Sequence, residues 1–322
     1  MAHLIENNSI TGKAEIAYAD SKPWHGLGQQ LTPDASIDVW RKEAGLDWEA
    51  KIAPIAFSWD TQTYKEIDNQ KVLYRSDTHK PLGVVTDRYK VHQPAEVLNF
   101  FNTLVQSAGF TLEVAGAIKG GKRIWALANV NREAVVLQDD AVRGYLLLST
   151  SFDGTTATVG QFTSIRVVCN NTLSAADQEK SPSRVNLTHG AKFDASIMRD
   201  KLGLIVGGFD GMMDNYRRLA RQSVNTAYAT TFFNEFFPAV YNHQTNTFKE
   251  SKGFKRVMEL FDGAGLGANK YGVYGTKWGL LNAVSQYIDH ERGHNVDTRM
   301  NNAWFGNGDR IKSEAESILL SN

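Results

Sequence analysis

Gly120-Gly121 lies between two runs, Thr111 to Lys119 and Lys122 to Asn131, whose side chains alternate with a period of two. A glycine pair accepts the positive φ angles of a tight turn, so the chain here doubles back as an antiparallel hairpin. The turn sets the register: Val114 faces Leu127, Gly116 faces Trp125 and Ile118 faces Arg123, leaving the indole free to lie over bare glycine backbone. Asp153-Gly154 predicts a second hairpin, from Tyr145 to Phe162. In it Ser149, Ser151, Thr156 and Thr158 share one face, and Leu148, Thr150, Ala157 and Val159 share the other. Upstream of both, Pro94 opens a helix whose Val97, Phe100, Phe101, Leu104 and Val105 make one apolar stripe, and Gly109 ends it. Four antiparallel strands with a helix against one face are expected.

Around this unit, Ser36 to Ala44 reads as a short helix, Lys51 to Trp59 as extended chain, and Val72 to Tyr74 and Leu82 to Thr86 as short strands. Thr163 to Ala176 fits both periods; its β-branched content favours a strand, while Ile165, Val168, Cys169, Thr172 and Ala176 fall at helical spacing, and helix is the reading adopted. Asp177 to Ser183, polar and holding Pro182, reads as a linker. From about residue 191 the pattern is helical. Leu202, Ile205, Val206, Phe209, Met213, Tyr216 and Ala220 form one stripe, and Gly203, Gly207 and Gly211 a second. Each glycine costs a helix about 1 kcal/mol, so three of them point to close backbone packing or a break. Further helices are expected at Lys252 to Phe261, Lys277 to Asp289 and Ala303 to Leu320, with a glycine-rich connector from Gly263 to Gly275. The 322 residues approach the limit of a single core, which predicts an α+β domain over 1–180, with the two hairpins, and a helical domain over 191–322. The expected fold class is α+β: an antiparallel β-meander with packed helices in βαβββα-like order, followed by a mostly helical C-terminal region.

Charge excludes one broad class of function. The 35 Lys and Arg equal the 35 Asp and Glu, so the chain does not coat duplex DNA or an anionic membrane by bulk attraction. The balance is uneven along the chain, net −5 over 1–70, +3 over 71–170 and +2 over 171–322, which leaves room for a local basic patch. The lone Cys169 forms no internal disulfide, the longest apolar run, Leu202 to Phe209, is far below the roughly 20 residues of a membrane span, and Met1 to Asn8 lacks a leader pattern. A cytoplasmic protein that does not enter a membrane is expected.

Three chemical motifs come close; two fail, and the first stays open as a third reading, a zinc hydrolase, behind the two given below. His290-Glu291-Arg292-Gly293-His294 has the spacing of a zinc hydrolase, but Arg292 and Gly293 fill its inner positions at the polar end of a helix. Gly116 to Arg123 matches a phosphate-binding loop except that Arg123 replaces the Ser or Thr, and a strand follows where a helix is required. Gly263-Ala264-Gly265-Leu266-Gly267 follows a helix, not the strand of a dinucleotide site. Neither Cys169 nor the Trp24-His25 pair has a placed catalytic partner, so no enzyme and no cofactor is expected.

What remains is a basic set. Lys119, Lys122 and Arg123 crown the first hairpin with Trp125 on it, Arg75, Arg88 and Lys90 precede the packed helix, and Arg143 and Arg166 bracket the second hairpin. Cations on strands beside a row of hydroxyls can follow a phosphate backbone while an aromatic stacks on bases. An ordinary solvated sheet face with charged tips is the competing reading.

Several of these segments also carry a resemblance: Trp24-His25-Gly26-Leu27-Gly28, Leu82-Gly83-Val84-Val85 with Arg88-Tyr89, Gly120 to Leu127, Ser151-Phe152-Asp153-Gly154, Arg166 to Leu173, and Gly275-Thr276-Lys277-Trp278-Gly279. Over nearly its whole length the chain resembles the phage- and plasmid-borne family of unknown function usually called phage/plasmid-like protein. The resemblance implies a mobile-element setting, often beside exonuclease and single-strand-binding genes. The order of elements is similar to that of phage single-strand annealing proteins of the Red-beta, Erf and Sak kind, which hold single-stranded DNA in rings or filaments. The resulting expectation is a non-enzymatic, homo-oligomeric protein that binds and anneals single-stranded DNA. Lys119, Lys122, Arg123, Arg143 and Arg166 would neutralise phosphates, Trp125 would stack, and Asn170 and Asn171 would add polar contacts. The alternative is a protein-interaction module directed at a host defence or replication protein, for which Phe232, Phe233, Phe236 and Phe237 are a possible aromatic anchor or else the face of a buried helix.

Overall fold

Two short strands, β1 (Ile16–Tyr18) and β2 (Gln29–Gln30), run parallel at one edge of the main sheet. The computed structural model describes residues 8, 10–19, 27–60, 63–168, 171–174, 184–187, 208–242, 244, 246–293 and 296–321. Helix α1 (Ile37–Glu43) begins where the Ser36 side chain accepts the Val39 N–H, and it buries Trp40. Three antiparallel strands follow as a sheet of their own: β3 (Ala50–Ser58), β4 (Tyr64–Arg75) and β5 (Pro81–Thr86). The β3–β4 register slips at Pro54, which has no N–H for the ladder. Because β5 pairs only with Gln70 to Tyr74, the distal part of the β3–β4 hairpin projects as a two-stranded ribbon.

Helix α2 (Pro94–Ser107) starts at Pro94, with the Glu96 carboxylate accepting the Gln93 N–H at 2.9 Å. Its stripe of Val97, Leu98, Phe100, Phe101, Leu104 and Val105 is buried. The main sheet then forms from β6 (Thr111–Ile118), β7 (Arg123–Val135), β8 (Ala141–Ser151), β9 (Thr158–Arg166), β10 (Asn171–Ser174) and β11 (Arg184–Leu187). Its order is β10-β9-β8-β7-β6-β1-β2, with β11 also alongside β9. The expected register holds at Val114–Leu127, Gly116–Trp125 and Ile118–Arg123. Gly116 is bare for a different reason, however. A Cβ there would lie 2.6 Å from the Glu15 carbonyl oxygen, so the glycine admits β1 rather than the indole.

The helix expected over Thr163 to Ala176 does not form. Thr163 to Arg166 extends β9 opposite β8, and Asn171 to Ser174 turns back against it as β10. The β-branched residues follow the ladder offered by β8, and their helical spacing is coincidence. Asp177 to Ser183, the proposed linker, lies outside the described residues, as do Cys169, Gly203 and Gly207.

After residue 208 the chain is mostly helical: α3 (Phe209–Ala220), α4 (Thr226–Phe236), a small hairpin of β12 (Val240–Asn242) and β13 (Thr247–Lys249), α5 (Lys252–Glu259) and α6 (Lys277–Gln286). Both α5 and α6 run on into single π-helical turns, Leu260–Ala264 and Tyr287–Glu291. The single helix expected from Ala303 to Leu320 is two, α7 (Val296–Phe305) and α8 (Asn307–Ser321), broken where the Asn302 side chain accepts the Gly308 N–H at 3.1 Å. The expected close-packing glycines are not found at Gly211, which faces open space; that role falls to Gly279, whose Cβ would come within 2.2 Å of the Val273 carbonyl oxygen.

Both faces of the main sheet are covered. One, with Ala115, Ala126, Leu146, Leu148 and Phe162, joins α2 and the C-terminal helices in a continuous core that runs from Ala17 to Leu319. The other, with Ile118, Trp125, Leu127, Tyr145 and Leu147, is capped by Met300, Trp304 and Phe305 of α7. The fold is α+β, with antiparallel sheets and the helices concentrated in the C-terminal region. Among the described residues no helix is long and apolar enough to cross a membrane.

Candidate nucleic-acid interface

The basic residues of the two hairpins separate into an outer and an inner group. Lys119 is exposed and Lys122 half-buried at the β6–β7 turn. Three successive residues there, Lys119, Gly120 and Gly121, have φ of 54°, 66° and 91°, a path that needs glycine. Gly121 needs it twice over, since a Cβ would meet the Trp48 ring at 2.9 Å and Arg75 Nη1 at 3.0 Å.

Arg123 and Trp125 are inside. Arg123 is 6% exposed, donates to Thr156 Oγ1 at 3.1 Å and lies 4.4 Å over the Phe305 ring. Trp125 is 1% exposed and meets Trp304 edge-on at 4.8 Å, its Nε1–H without a hydrogen-bond partner. Alternation alone places these residues on the second face of the sheet, and α7 takes that face out of solvent. The expected hydroxyl row is interior and divided: Ser149 stands opposite Val159, which puts Thr158 on the face of Thr150 instead of that of Ser149. Thr150 and Thr158 share a hydrogen bond of 2.9 Å, and Ser151 Oγ donates to the Thr156 carbonyl at 2.8 Å.

Arg166 is fully buried in a polar knot. Its Nε donates to Asp140 at 2.7 Å, its two outer nitrogens donate to the Leu266 and Gly267 carbonyls at 3.1 Å, and Trp278 Nε1 donates to the other Asp140 oxygen at 2.8 Å. Thr276, accepting the Gly279 N–H, starts the helix that carries Trp278. The knot therefore ties β9 to α6 and gives Gly275 to Gly279 a structural purpose. A second knot joins Arg75 to Glu15 and Asp77 at 2.7 and 2.8 Å, with the guanidinium 4.7 Å over Trp48. Arg143 is half-exposed and paired with Glu133 at 2.5 Å. Asn170 lies outside the described residues. Asn171 belongs to β10, opposite Arg166.

Four segments meet at one end of the molecule. The Phe152 N–H donates to the Lys122 carbonyl at 2.8 Å, joining the two hairpin tips. Tyr89 Oη donates to the Ser151 carbonyl at 3.3 Å, and a Cβ on Gly83 would come within 2.6 Å of Asp153 Cα, so β5 and the loop after it lie against the second tip. Arg75 reaches the Gly120 carbonyl at 3.3 Å. Burial, then the Asp153 charge, pushes the Tyr89 hydroxyl up to about 12 and keeps it a neutral donor. Asp153 itself is held below the usual carboxylate range: burial works against ionisation, but hydrogen bonds from Thr155 outweigh it. Arg88 and Lys90, which flank Tyr89, are exposed, as is Lys119 at the first tip, and Lys122 is half-buried.

The alternative anchor is interior, as a buried helix face would be: Phe232, Phe233 and Phe237 are 4%, 0% and 6% exposed. A basic and aromatic surface missed in the sequence lies at β12, β13 and the start of α5, where Lys249, Lys252 and Lys255 stand near exposed Tyr241 and Phe248. The spacing of those lysines was its only signal.

The His290-Glu291-Arg292-Gly293-His294 segment does not continue as one helix. Helix stops at Glu291, Arg292 is extended and Gly293 has a φ of 133°, so the segment breaks before His294, which lies outside the described residues. Glu291 is held by Arg256 through two bonds of 2.6 and 2.9 Å. Among the described residues no group of three or more His, Cys, Asp or Glu side chains is placed to hold a metal.

No curated protein and no solved structure matches the chain. One family does. Its model, described as "Domain of unknown function (DUF932)", matches residues 81–313, from β5 through both hairpins and both halves of the Arg166–Trp278 knot into α8, and the chain belongs to that family.

Proposed function

We propose that this is a non-enzymatic protein that binds and anneals single-stranded DNA in the recombination system of a phage or plasmid, acting as a homo-oligomer in the cytoplasm of its host. The observation that supports the reading is the meeting of both hairpin tips with the β5–α2 loop, the segments that carry Arg88, Lys90, Lys119 and Lys122. These four cations are the residues assigned to phosphate contact. Arg123, Trp125 and Arg166 act from inside the fold, holding the hairpins, the first of which carries Lys119 and Lys122. A strand bound mainly through phosphates is held by counterion release and depends steeply on salt.

Fluorescence anisotropy of a labelled single-stranded oligonucleotide over a salt series, with a matched duplex alongside, tests the reading. Binding should favour the single strand, and log affinity should fall with log salt by roughly 0.7 per phosphate neutralised. Lys119→Ala with Lys122→Ala should weaken binding and reduce that slope by roughly 1.4. No binding at low salt overturns the function, and an unchanged slope in the double variant overturns the site.

A further inference from the structure

Two surfaces outside the DNA-contact set are uncovered and complementary. The first is the distal β3–β4 ribbon. Phe57 and Trp59, 5.8 Å apart, and Tyr64 are 49%, 61% and 72% exposed there, on a ribbon that among the described residues pairs with no third strand. Such a ribbon has little stability alone, and a cluster of exposed aromatics marks a contact surface. Residues 54–69 carry Asp60, Glu66 and Asp68 against Lys65 only. The ribbon also precedes the family match, which starts at residue 81.

The second surface is an open groove of about 630 Å³, formed where β12 and β13 meet the start of α5. Val240, Tyr241, Lys249, Lys252 and Lys255 line it. Its one acidic wall residue, Glu250, lies 3.9 Å from Lys255, both being well exposed, so the lysine charge is weakly compensated. Tyr241 and Phe248, 5.2 Å apart, are 38% and 74% exposed.

We propose that the ribbon of one copy docks in this groove of a second copy. The ribbon is acidic and aromatic where the groove is basic and aromatic, and each is left uncovered within its own chain. Because the contact joins two different patches, every docked copy still offers a free ribbon or a free groove. Assembly therefore runs head to tail, into a ring if the rotation closes and a filament if it does not. The inference rests on the homo-oligomer part of the function proposed above; no nucleic acid takes part in the contact, so it and the DNA-binding part fail separately.

Sedimentation velocity of the full chain, without DNA, across protein and salt concentrations is the test. The wild type should associate with rising concentration, and added salt should weaken the association. A ribbon variant, Trp59→Ser with Tyr64→Ser, and a groove variant, Lys252→Glu with Lys255→Glu, should each be monomeric with unchanged circular dichroism, since all four positions are exposed. Mixed one to one, they should form a dimer and stop there, because one intact ribbon and one intact groove remain. A wild type that stays monomeric, a variant that still assembles, or a mixture that stays monomeric overturns the proposal; retention of some other protein in place of a second copy does so too.

Discussion

Arg166 and Arg143 make similar ion pairs in different surroundings, and the difference sets what each is worth. The Arg166 and Asp140 side chains are 0% and 1% exposed, so removing the guanidinium leaves a carboxylate with neither water nor countercharge. Arg143 and Glu133 are 36% and 49% exposed, and solvent screens them. Arg166→Ala should therefore cost about 3–5 kcal/mol in urea unfolding, and Arg143→Ala less than about 1 kcal/mol. Equal losses would show that the knot does not hold β9 to α6. Both arginines are plain in the sequence. Asp140 was not read as the partner of Arg166, because nothing local distinguishes it from Asp139, which is exposed and pairs with Lys270.

At the scale of elements, the hairpins were legible because turn residues and alternation act over a few neighbours. The strand at 163–166 was not, since its partner β8 supplies the ladder that decides between strand and helix. Gly116 shows the same limit: its register with Trp125 was readable, yet its close neighbour is β1, which arrives from the N-terminal part of the chain. Gly116→Ala should push β1 off β6, at about 1–3 kcal/mol for overpacking. Hydrogen exchange should then speed up at Ala19, whose N–H donates to the Glu113 carbonyl, and at Ala117, which donates to Glu15. Unchanged protection at both amides would contradict the assigned contact.

For the molecule as a whole, the core does not stop between residues 180 and 191. Apolar side chains from Ala17 to Leu319 form one cluster, and the Arg166–Asp140–Trp278 knot crosses the same region. Unfolding should accordingly appear as one transition, with tryptophan fluorescence and far-ultraviolet circular dichroism changing together. Two separated transitions would show that the helical region folds apart from the sheet.

The sequence by itself determined the class of fold, the two hairpins, the buried stripe of α2 and the positions of most C-terminal helices. Each of these depends on periodicity and turn chemistry over short stretches, where steric preference and burial act together. Only the tertiary structure decided which charges face water. Whether an arginine on a strand is a phosphate ligand or a structural cation depends on desolvation, set by whatever packs over it from elsewhere in the chain. Here α7 closes the face that alternation had left open, which moves Arg123 and Trp125 inside, while Arg88, Lys90 and Lys119 are exposed and Lys122 is half-buried.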